Sequence, residues 1–536
     1  MLLTIKKSYF YLLFLISLFY SKELLFLFFD STQSADFNKY FVYFEYFFQN
    51  SSETGREHGT FFYYIHSLSL SRFIDDINQS NFFYLLNKSI QEVNFYIYVF
   101  GLLGYYMLLR FFNFKKDTIF LTFTCLNFFP LAIALRITFK PEILVFALVP
   151  WILFCFEKFN STKDSKFLFF SIPFVILSIT SKGSVLGMVG LFLFIHYFKF
   201  IFKIQLKTLG LLLLALVIPL VLISHQDYEV NNSNILEVNH SEKYRNNASY
   251  KIIYNLDFPK LVKSPIKYEH SNSLLALTLL DTFGDYFDVY WNNDSSLFFK
   301  NRKEVLINEQ SNSLTFPKID VKNTQIRIKS KQLTNIYLRE SVGLFLSLAF
   351  LIYMVHLIIK KNKYRKFIYS PIFGVAILLI QSVLGFPQQN WDPLVGDSIK
   401  PFYYGFFLTL SFVFIFTELL SKKYIKFFVV IFFVIINLYI LGFPKSYDPV
   451  FIEKLLVVNS YSQLCEINTL FFNRLDNLSV NCNFINLKIQ NVNYNNFLTF
   501  KSFNYFMPIN IGILIATLLS SLFLIFKNND LFSLRK

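Results

Sequence analysis

An early polar stretch contains the side chains best suited to acid–base chemistry. Asp30 and Asp36 lie just beyond the first apolar run, and Glu57 and His58 follow before a tyrosine-rich segment. A carboxylate held near a hydroxyl group can remove its proton as a general base. Polar loops also contain aspartate and histidine without any such role, so spacing alone leaves both interpretations open.

Four basic residues stand at the ends of later apolar runs. They are Arg136, Lys140, Lys182 and Lys400. Charges at membrane depth are costly and usually functional, and cations placed there could hold a phosphate group at the level of the lipid headgroups. The alternative is that these side chains simply reach the membrane interface, as Lys and Arg at span ends often do.

A third group of polar residues combines carboxylates with aromatic rings. Asp281, Asp285 and Asp288 precede Tyr290 and Trp291. One interpretation is sugar binding, in which Trp291 stacks on a ring and Asp285 accepts hydrogen bonds from hydroxyls. A second interpretation is a cation site, since several carboxylate oxygens cluster in this stretch, although their spacing does not match a calcium-binding loop. An amphipathic helix on the membrane surface is the third.

The composition indicates a polytopic membrane protein that would position these groups. The chain has 536 residues, is 54% hydrophobic and only 16% charged, and has a mean hydropathy of +0.44. Soluble domains are usually about 25% charged. The net charge of +16 is explained by basic cytoplasmic loops, and no motif for binding nucleic acid is present.

Apolar runs predict an all-α fold with about twelve transmembrane helices, each near the ~20 residues that cross a bilayer. The runs are 8–29, 92–112, 117–136, 138–156, 166–181, 183–200, 207–225, 339–359, 367–387, 400–420, 424–443 and 506–526. With both termini in the cytoplasm, the inner segments hold about 22 Lys and Arg residues against four in the short outer connections. This positive-inside bias supports the predicted orientation. The runs 166–181 and 183–200 are either two short spans or one broken helix.

Three long polar segments then fall on the outer side. The predicted organisation is a transmembrane module over 1–225 with its first outer loop at 30–91, a large outer segment over 226–338, helices over 339–443, an outer segment over 444–505, and a last helix and tail over 506–536. Alternating residues from Leu314 to Leu333 predict strands, and so a small α+β outer subdomain. Long loops on one face favour chemistry or binding there.

The cysteines indicate no metal site. Cys125 and Cys155 lie in apolar runs and are expected to pack there. Cys465 and Cys482 share one polar segment and are candidates for a disulfide if that segment faces an oxidising compartment. The sequence therefore predicts no resident cofactor, and it does not establish whether a divalent metal is needed.

Several motifs together resemble the GT-C glycosyltransferases, which use polyprenyl-phosphate sugars and include protein mannosyltransferases and the aminoarabinose transferase of lipid A. The matching segments are Asp30 to Asp36, His58-Gly-Thr-Phe-Phe-Tyr63-Tyr64, Arg136-Ile-Thr-Phe-Lys140-Pro-Glu142, Thr180-Ser-Lys182-Gly-Ser and Asp397-Ser-Ile-Lys400-Pro-Phe-Tyr403. Gly59 stands where the family usually has proline. The resemblance covers about 8–225 and the outer end of the span at 400.

The resemblance implies an inverting transferase that moves a sugar from a polyprenyl-phosphate donor to a glycan, lipid or protein acceptor. Asp36 would be the catalytic base, with Asp30 its competitor, and Glu57 and His58 would position donor or acceptor. The implied donor site adds Tyr63, Arg136, Lys140, Glu142, Lys182, Lys400 and Tyr403. The implied location is the bacterial inner membrane, with the site facing the periplasm.

Two other classes share parts of this pattern. An O-antigen polymerase or ligase also has about a dozen spans and long outer loops, but its main loop would be expected late in the chain rather than at 226–338. A lipid-linked sugar flippase or another transporter should carry ionisable residues in the centres of its spans. Few occur there, since His196 and His356 both lie near inner ends.

Overall fold

The protein is predominantly helical wherever the structure describes it, as the sequence predicts. A computed structural model describes residues 8–28, 60–73, 82–201, 206–231, 255–265, 270, 273–284, 306–307, 314–315, 330–383, 401–421 and 426–441. The helices are α1 (Ser8–Phe28), α2 (Thr60–Ser71), α3 (Phe82–Phe111), α4 (Lys116–Asn127), α5 (Pro130–Ile137), α6 (Glu142–Thr162), α7 (Lys166–Ser181), α8 (Ser184–Ile201), α9 (Leu206–Asn231), α10 (Phe258–Lys263), α11 (Leu274–Phe283), α12 (Ser330–Ile359), α13 (Arg365–Ile368), α14 (Pro371–Val383), α15 (Gly405–Ser421) and α16 (Lys426–Leu441). A 3-10 turn, Pro401–Tyr404, leads directly into α15.

Several of these helices could cross a membrane. The segments Tyr9–Phe26, Leu85–Phe111, Leu338–Ile359 and Phe402–Ser421 are long and apolar enough to do so, and α4 with α5 would add a fifth span as a bent pair. Apart from 506–526, which lies outside the described residues, each predicted apolar run overlaps one or two helices. The other described helices do not combine the length and the hydropathy of a full span, so a total of about twelve spans remains a prediction.

The predicted continuous helix over 117–136 is wrong, because the chain bends by 66° between α4 and α5. Pro130 is the first residue of α5 and has no backbone N–H, so it begins a helix easily but cannot continue one. The last turn of α4 instead closes with bonds from the Phe128 and Phe129 amides to the carbonyls of Cys125 and Leu126, each 3.1 Å long. The runs 166–181 and 183–200, which the sequence left as either two spans or one broken helix, form the two separate helices α7 and α8.

The expected strands in the large outer segment are found only in part. Strand β1 (Leu306–Ile307) pairs antiparallel with strand β2 (Leu314–Thr315), with Leu306 opposite Thr315. Residues 316–329 lie outside the described residues. The end of the predicted strand region is wrong, since residues 330–333 form the first turn of α12. Extending an existing helix by one turn costs far less than starting a new element, which favours helix there.

The connections between helices collect at two opposite ends of the bundle. At one end, the Tyr364 ring between α12 and α13 lies 5.2 Å from Phe112 and 4.7 Å from Phe114, which connect α3 to α4. At the same end, Glu157 near the end of α6 pairs with Lys366 of α13. All of these were predicted to lie on the inner side. These residues therefore lie together at one end of the bundle.

The packing of α3 against α6 requires a glycine at position 101. A Cβ atom added to Gly101 would lie 2.9 Å from the Cα of Ala147, closer than carbon atoms normally approach. One turn later, the Trp151 indole lies against Gly104 and donates to the carbonyl of Phe100 over 3.0 Å. The two helix backbones therefore approach more closely than side chains at these positions would allow.

We expect Gly101→Ala to lower the free energy of unfolding by about 1–3 kcal/mol through overpacking. Gly190 of α8 is the matched control, because a Cβ there meets nothing within 4 Å. Gly190→Ala should be neutral or stabilising by up to about 1 kcal/mol, as alanine favours helices. Thermal unfolding of both variants in detergent measures the difference. Equal midpoints would show that the close approach has no energetic consequence.

Candidate functional site: two lysines at one end of the helix bundle

Lys182 is held at the junction of α7 and α8 by a carboxylate and an aromatic ring. It ends α7 in an extended conformation, and its ammonium group forms an ion pair with Oε1 of Glu142. The ammonium also lies 4.1 Å from the centre of the Tyr403 ring, a distance typical of a cation–π contact. The side chain is only 10% exposed. The start of α6, the end of α7 and the 3-10 turn before α15 are far apart in sequence, and they meet around this one buried cation.

Glu142 supplies the buried negative charge of this cluster. It is the first residue of α6, where the aligned N–H groups of the helix favour an anion. Its side chain is 1% exposed, and its second oxygen, Oε2, has no hydrogen-bond partner among the described residues. A buried carboxylate oxygen without a hydrogen bond lowers the free energy of unfolding. Functional sites tolerate that loss more often than structural ones.

Lys140 lies on the short connection between α5 and α6 and approaches the same turn as Lys182. Its ammonium is 5.3 Å from the centre of the Phe402 ring, and the residue is 4% exposed. Since Phe402 and Tyr403 are neighbours in one 3-10 turn, the two lysines converge on adjacent rings. The structure therefore brings together two predicted cations with Glu142.

The turn that carries these two rings is fixed from both sides. A Cβ added to Gly374 of α14 would lie 2.2 Å from the Cβ of Tyr404, so the turn packs directly on the helix backbone. On the other side, the hydroxyls of Tyr404 and Thr278 on α11 are 2.7 Å apart. The position of Tyr403 over Lys182 therefore depends on α11 and α14, two elements that the motifs did not include.

Tyr63 reaches the same region from α2. Its ring lies 5.9 Å from that of Phe139, the residue before Lys140, and the neighbouring Phe62 ring lies 5.2 Å from Phe139. Tyr63 itself is completely buried. Helix α2, which falls within the first predicted outer segment, therefore packs against the connection that carries Lys140.

Arg136 makes a different set of contacts from the lysines. Its guanidinium donates to the hydroxyl of Ser21 over 2.9 Å, to the backbone carbonyl of Asn127, and to the carbonyl of Ala132 over 3.3 Å. It also lies 4.6 Å from the centre of the Tyr98 ring. These partners belong to α1, α3, α4 and α5. Arg136 thus binds the protein around the α4–α5 bend, where the break leaves carbonyl groups to be satisfied.

Beside Arg136, Asn94 and His66 form a polar contact between α3 and α2. The amide nitrogen of Asn94 donates to the carbonyls of Arg136 and Thr138, over 2.8 and 3.1 Å. Its amide oxygen lies 3.0 Å from Nε2 of His66, whose Nδ1 is 2.8 Å from the carbonyl of Phe62. The motifs did not identify Asn94, although a lone asparagine in an apolar run is itself a signal.

The buried environment of His66 makes the stability of the protein dependent on pH. Burial lowers its pKa to about 4 from an ordinary value of 6.5, although the hydrogen bonds to Phe62 and Asn94 act in the opposite direction. Between these two values the unfolded chain binds a proton that the folded protein does not. The free energy of unfolding should therefore fall by up to about 3 kcal/mol as the pH is lowered through this window.

The variant His66→Gln should lose this part of the pH dependence, because glutamine does not titrate. The measurement is chemical unfolding of both proteins from pH 7 to pH 4, and the quantity of interest is the difference between them, since carboxylates also titrate there. Parallel curves for the two proteins would contradict the assignment to His66.

The remaining predicted site residues lie outside the described residues. These are Asp30, Asp36, Glu57, His58, Asp285, Trp291, Lys400, Cys465 and Cys482. The structure reaches only the start of the acidic, aromatic stretch, where Asp281 is buried in α11 and α11 packs against α12. Within the described ranges, no three His, Cys, Asp or Glu side chains group closely enough to hold a metal ion.

Comparisons of the chain with models of known protein families, with curated proteins and with solved structures found no match.

Proposed function

We propose that the protein is a membrane glycosyltransferase of the GT-C type, which moves a sugar from a polyprenyl-phosphate donor to an acceptor outside the cytoplasm. The observation that carries the proposal is the convergence of Lys140 and Lys182 on the adjacent rings of Phe402 and Tyr403. Two ammonium groups beside one carboxylate leave a net positive charge at the end of apolar helices, which favours binding of a phosphate group. The phosphodiester of a polyprenyl-phosphate sugar carries one negative charge, and the polyprenyl phosphate that departs carries more.

In the proposed reaction, the Asp36 carboxylate takes the proton of the acceptor hydroxyl. The acceptor oxygen forms a bond to the anomeric carbon while the bond from that carbon to the phosphate oxygen breaks. The electron pair of the broken bond remains on the departing polyprenyl phosphate, and attack from the opposite face inverts the anomeric centre. Lys140 and Lys182 stabilise the charge that develops on the leaving phosphate.

Glu142 has a supporting role in this proposal. Before the donor binds, its carboxylate neutralises the charge of Lys182, whose side chain is only 10% exposed. An arriving phosphate offers Lys182 a second anion, and the aromatic faces of Phe402 and Tyr403 keep the ammonium groups in place. The ion pair thus keeps the site ordered while it is empty.

The positions of the buried glutamates favour a transferase over a transporter. Transport pathways place ionisable residues in the centres of spans. Glu340 is near the start of Leu338–Ile359, and Glu142 and Glu157 lie towards opposite ends of α6. The Arg136 guanidinium reaches Tyr98 near the middle of Leu85–Phe111, but it is used there in bonds to the protein around the α4–α5 bend.

The proposal is tested by replacing Asp36 in protein reconstituted in vesicles with a labelled polyprenyl-phosphate sugar. Wild-type protein should release free polyprenyl phosphate, whereas Asp36→Asn should lose transfer by at least about a hundredfold, the usual contribution of a general base. The variant should still bind polyprenyl phosphate, because that binding depends on Lys140 and Lys182.

Asp30→Asn is the matched control, six residues earlier in the same segment. We expect it to keep transfer within a few-fold of wild type. Full activity of Asp36→Asn would overturn the assignment of the base. Movement of the intact donor across the vesicle membrane, without release of polyprenyl phosphate, would overturn the transferase in favour of a flippase.

A further inference from the structure

We infer that Asn94 and His66 are positioning residues that set where Lys140 meets the donor phosphate. This inference rests on the proposed function and adds to it two residues that none of the family motifs contains. It starts from the connection between α5 and α6, a short segment with Lys140 near its middle. A flexible cation at this position would bind phosphate weakly, because ordering it would cost conformational entropy.

The end of α5 depends on a partner from another helix. The last carbonyls of a helix have no partner within the helix and must be satisfied from outside. Here Asn94 of α3 donates one N–H to the carbonyl of Arg136 and the other to the carbonyl of Thr138. This single amide therefore caps α5 from a neighbouring helix. It also fixes the direction in which the chain leaves α5, two residues before Lys140.

The orientation of that amide is fixed by its partners. Because both N–H groups of Asn94 face carbonyls, its oxygen must face His66, and Nε2 of His66 lies 3.0 Å from it. If the amide were rotated by half a turn, its oxygen would face two carbonyl oxygens. The completely buried imidazole donates from Nε2 to the Asn94 oxygen when its one N–H is on that nitrogen. This bond holds the amide in the orientation that caps α5.

The same contact joins α2 to the connection between α5 and α6. His66 belongs to α2, while Asn94 holds the connection that contains Lys140. The Phe139 ring strengthens this junction, since it lies 5.2 Å from the rings of both Phe62 and His66. The His66–Asn94 pair therefore links α2 to the segment that carries the phosphate-binding lysine.

A double-mutant cycle on polyprenyl phosphate binding in nanodiscs tests this inference. Asn94→Leu should weaken binding about tenfold, the loss expected from two hydrogen bonds that order the ligand-binding segment. Lys140→Met should weaken binding at least as much. If Asn94 acts through Lys140, adding Asn94→Leu to Lys140→Met should cause little further loss, because neighbouring residues in one network are not additive. A purely structural residue would instead give two independent losses that multiply.

Two further variants keep the test decisive. Asn437 of α16 is the matched control, a buried asparagine whose amide donates to the Phe433 carbonyl within its own helix. Asn437→Leu should leave binding unchanged. If Asn94→Leu does not fold, Asn94→Asp replaces it in the cycle, since it keeps the shape of the side chain but lacks the two N–H donors.

The outcomes separate this inference from the proposed function. Unchanged binding in a folded Asn94 variant, or losses that multiply in the double variant, would overturn the positioning role alone. A wild-type protein that does not bind polyprenyl phosphate would overturn the proposed function and this inference with it. Weakened binding with strong non-additivity supports both.

Discussion

Lys182→Met is expected to lower the free energy of unfolding by about 3–5 kcal/mol, the usual result of removing one member of a buried ion pair. The loss arises because the Glu142 carboxylate, 1% exposed, would remain charged without its partner. The double variant Lys182→Met/Glu142→Gln should recover most of this stability, since neither remaining group carries a charge. Chemical unfolding in detergent measures both changes.

The same double variant separates a binding role from a structural one. We expect it to fold like wild type and yet to lose most of its affinity for polyprenyl phosphate. The pair Lys366–Glu157 at the opposite end of the bundle provides the matched control, since it is also largely buried. Lys366→Met/Glu157→Gln should leave lipid phosphate binding unchanged. Wild-type affinity in the Lys182 double variant would mean that this pair serves only packing.

Arg136→Lys should lower the free energy of unfolding by roughly 3 kcal/mol although the positive charge is kept. A lysine ammonium cannot reach the Ser21 hydroxyl and the Asn127 carbonyl in the fixed, forked geometry of a guanidinium. Hydrogen bonds from a charged donor contribute about 1.5–3 kcal/mol each, and at least one would be lost. The measurement is again the unfolding free energy.

Arg72 is the control for this substitution. It pairs with Glu92 at 2.8 Å, but its side chain is 55% exposed, so Arg72→Lys should change stability by less than about 1 kcal/mol. If Arg136→Lys instead left the free energy of unfolding unchanged and weakened phosphate binding, Arg136 would be a direct phosphate ligand. The sequence pattern alone suggested that role.

Much of the helical organisation follows from apolar periodicity, because a run of apolar residues near membrane length has few other stable structures. The exceptions have local causes. The bend between α4 and α5 depends on Pro130, which is compatible with either a kink or a new helix, so the sequence alone left a single span over 117–136 as the simpler prediction. The strand pattern ending at Leu333 overlapped the start of α12, since alternation over a few residues does not exclude a helix.

The sequence predicted which charged residues belong to the candidate site, but not which of them lie together. Positive-inside counting identified Lys140 and Lys182 as unusual cations, and motif order suggested Glu142 and Tyr403. What the sequence could not distinguish was Arg136 from the lysines, because all three are basic residues near span ends. Arg136 and the two lysines differ because the helix ends that carry them contact different residues. Asn94 was missed for the same reason, since its partners Arg136, Thr138 and His66 lie 42, 44 and 28 residues away.

The break between α4 and α5 also has a consequence for how the chain is made. Neither half is long enough to cross the hydrocarbon layer, since 12 and 8 residues extend about 18 and 12 Å. The polar groups around the break are satisfied by Ser17, Ser21, Asn94 and Tyr98. All four precede the break in sequence. During synthesis, the groups that form these four hydrogen bonds with the break have therefore already left the ribosome when the break itself emerges.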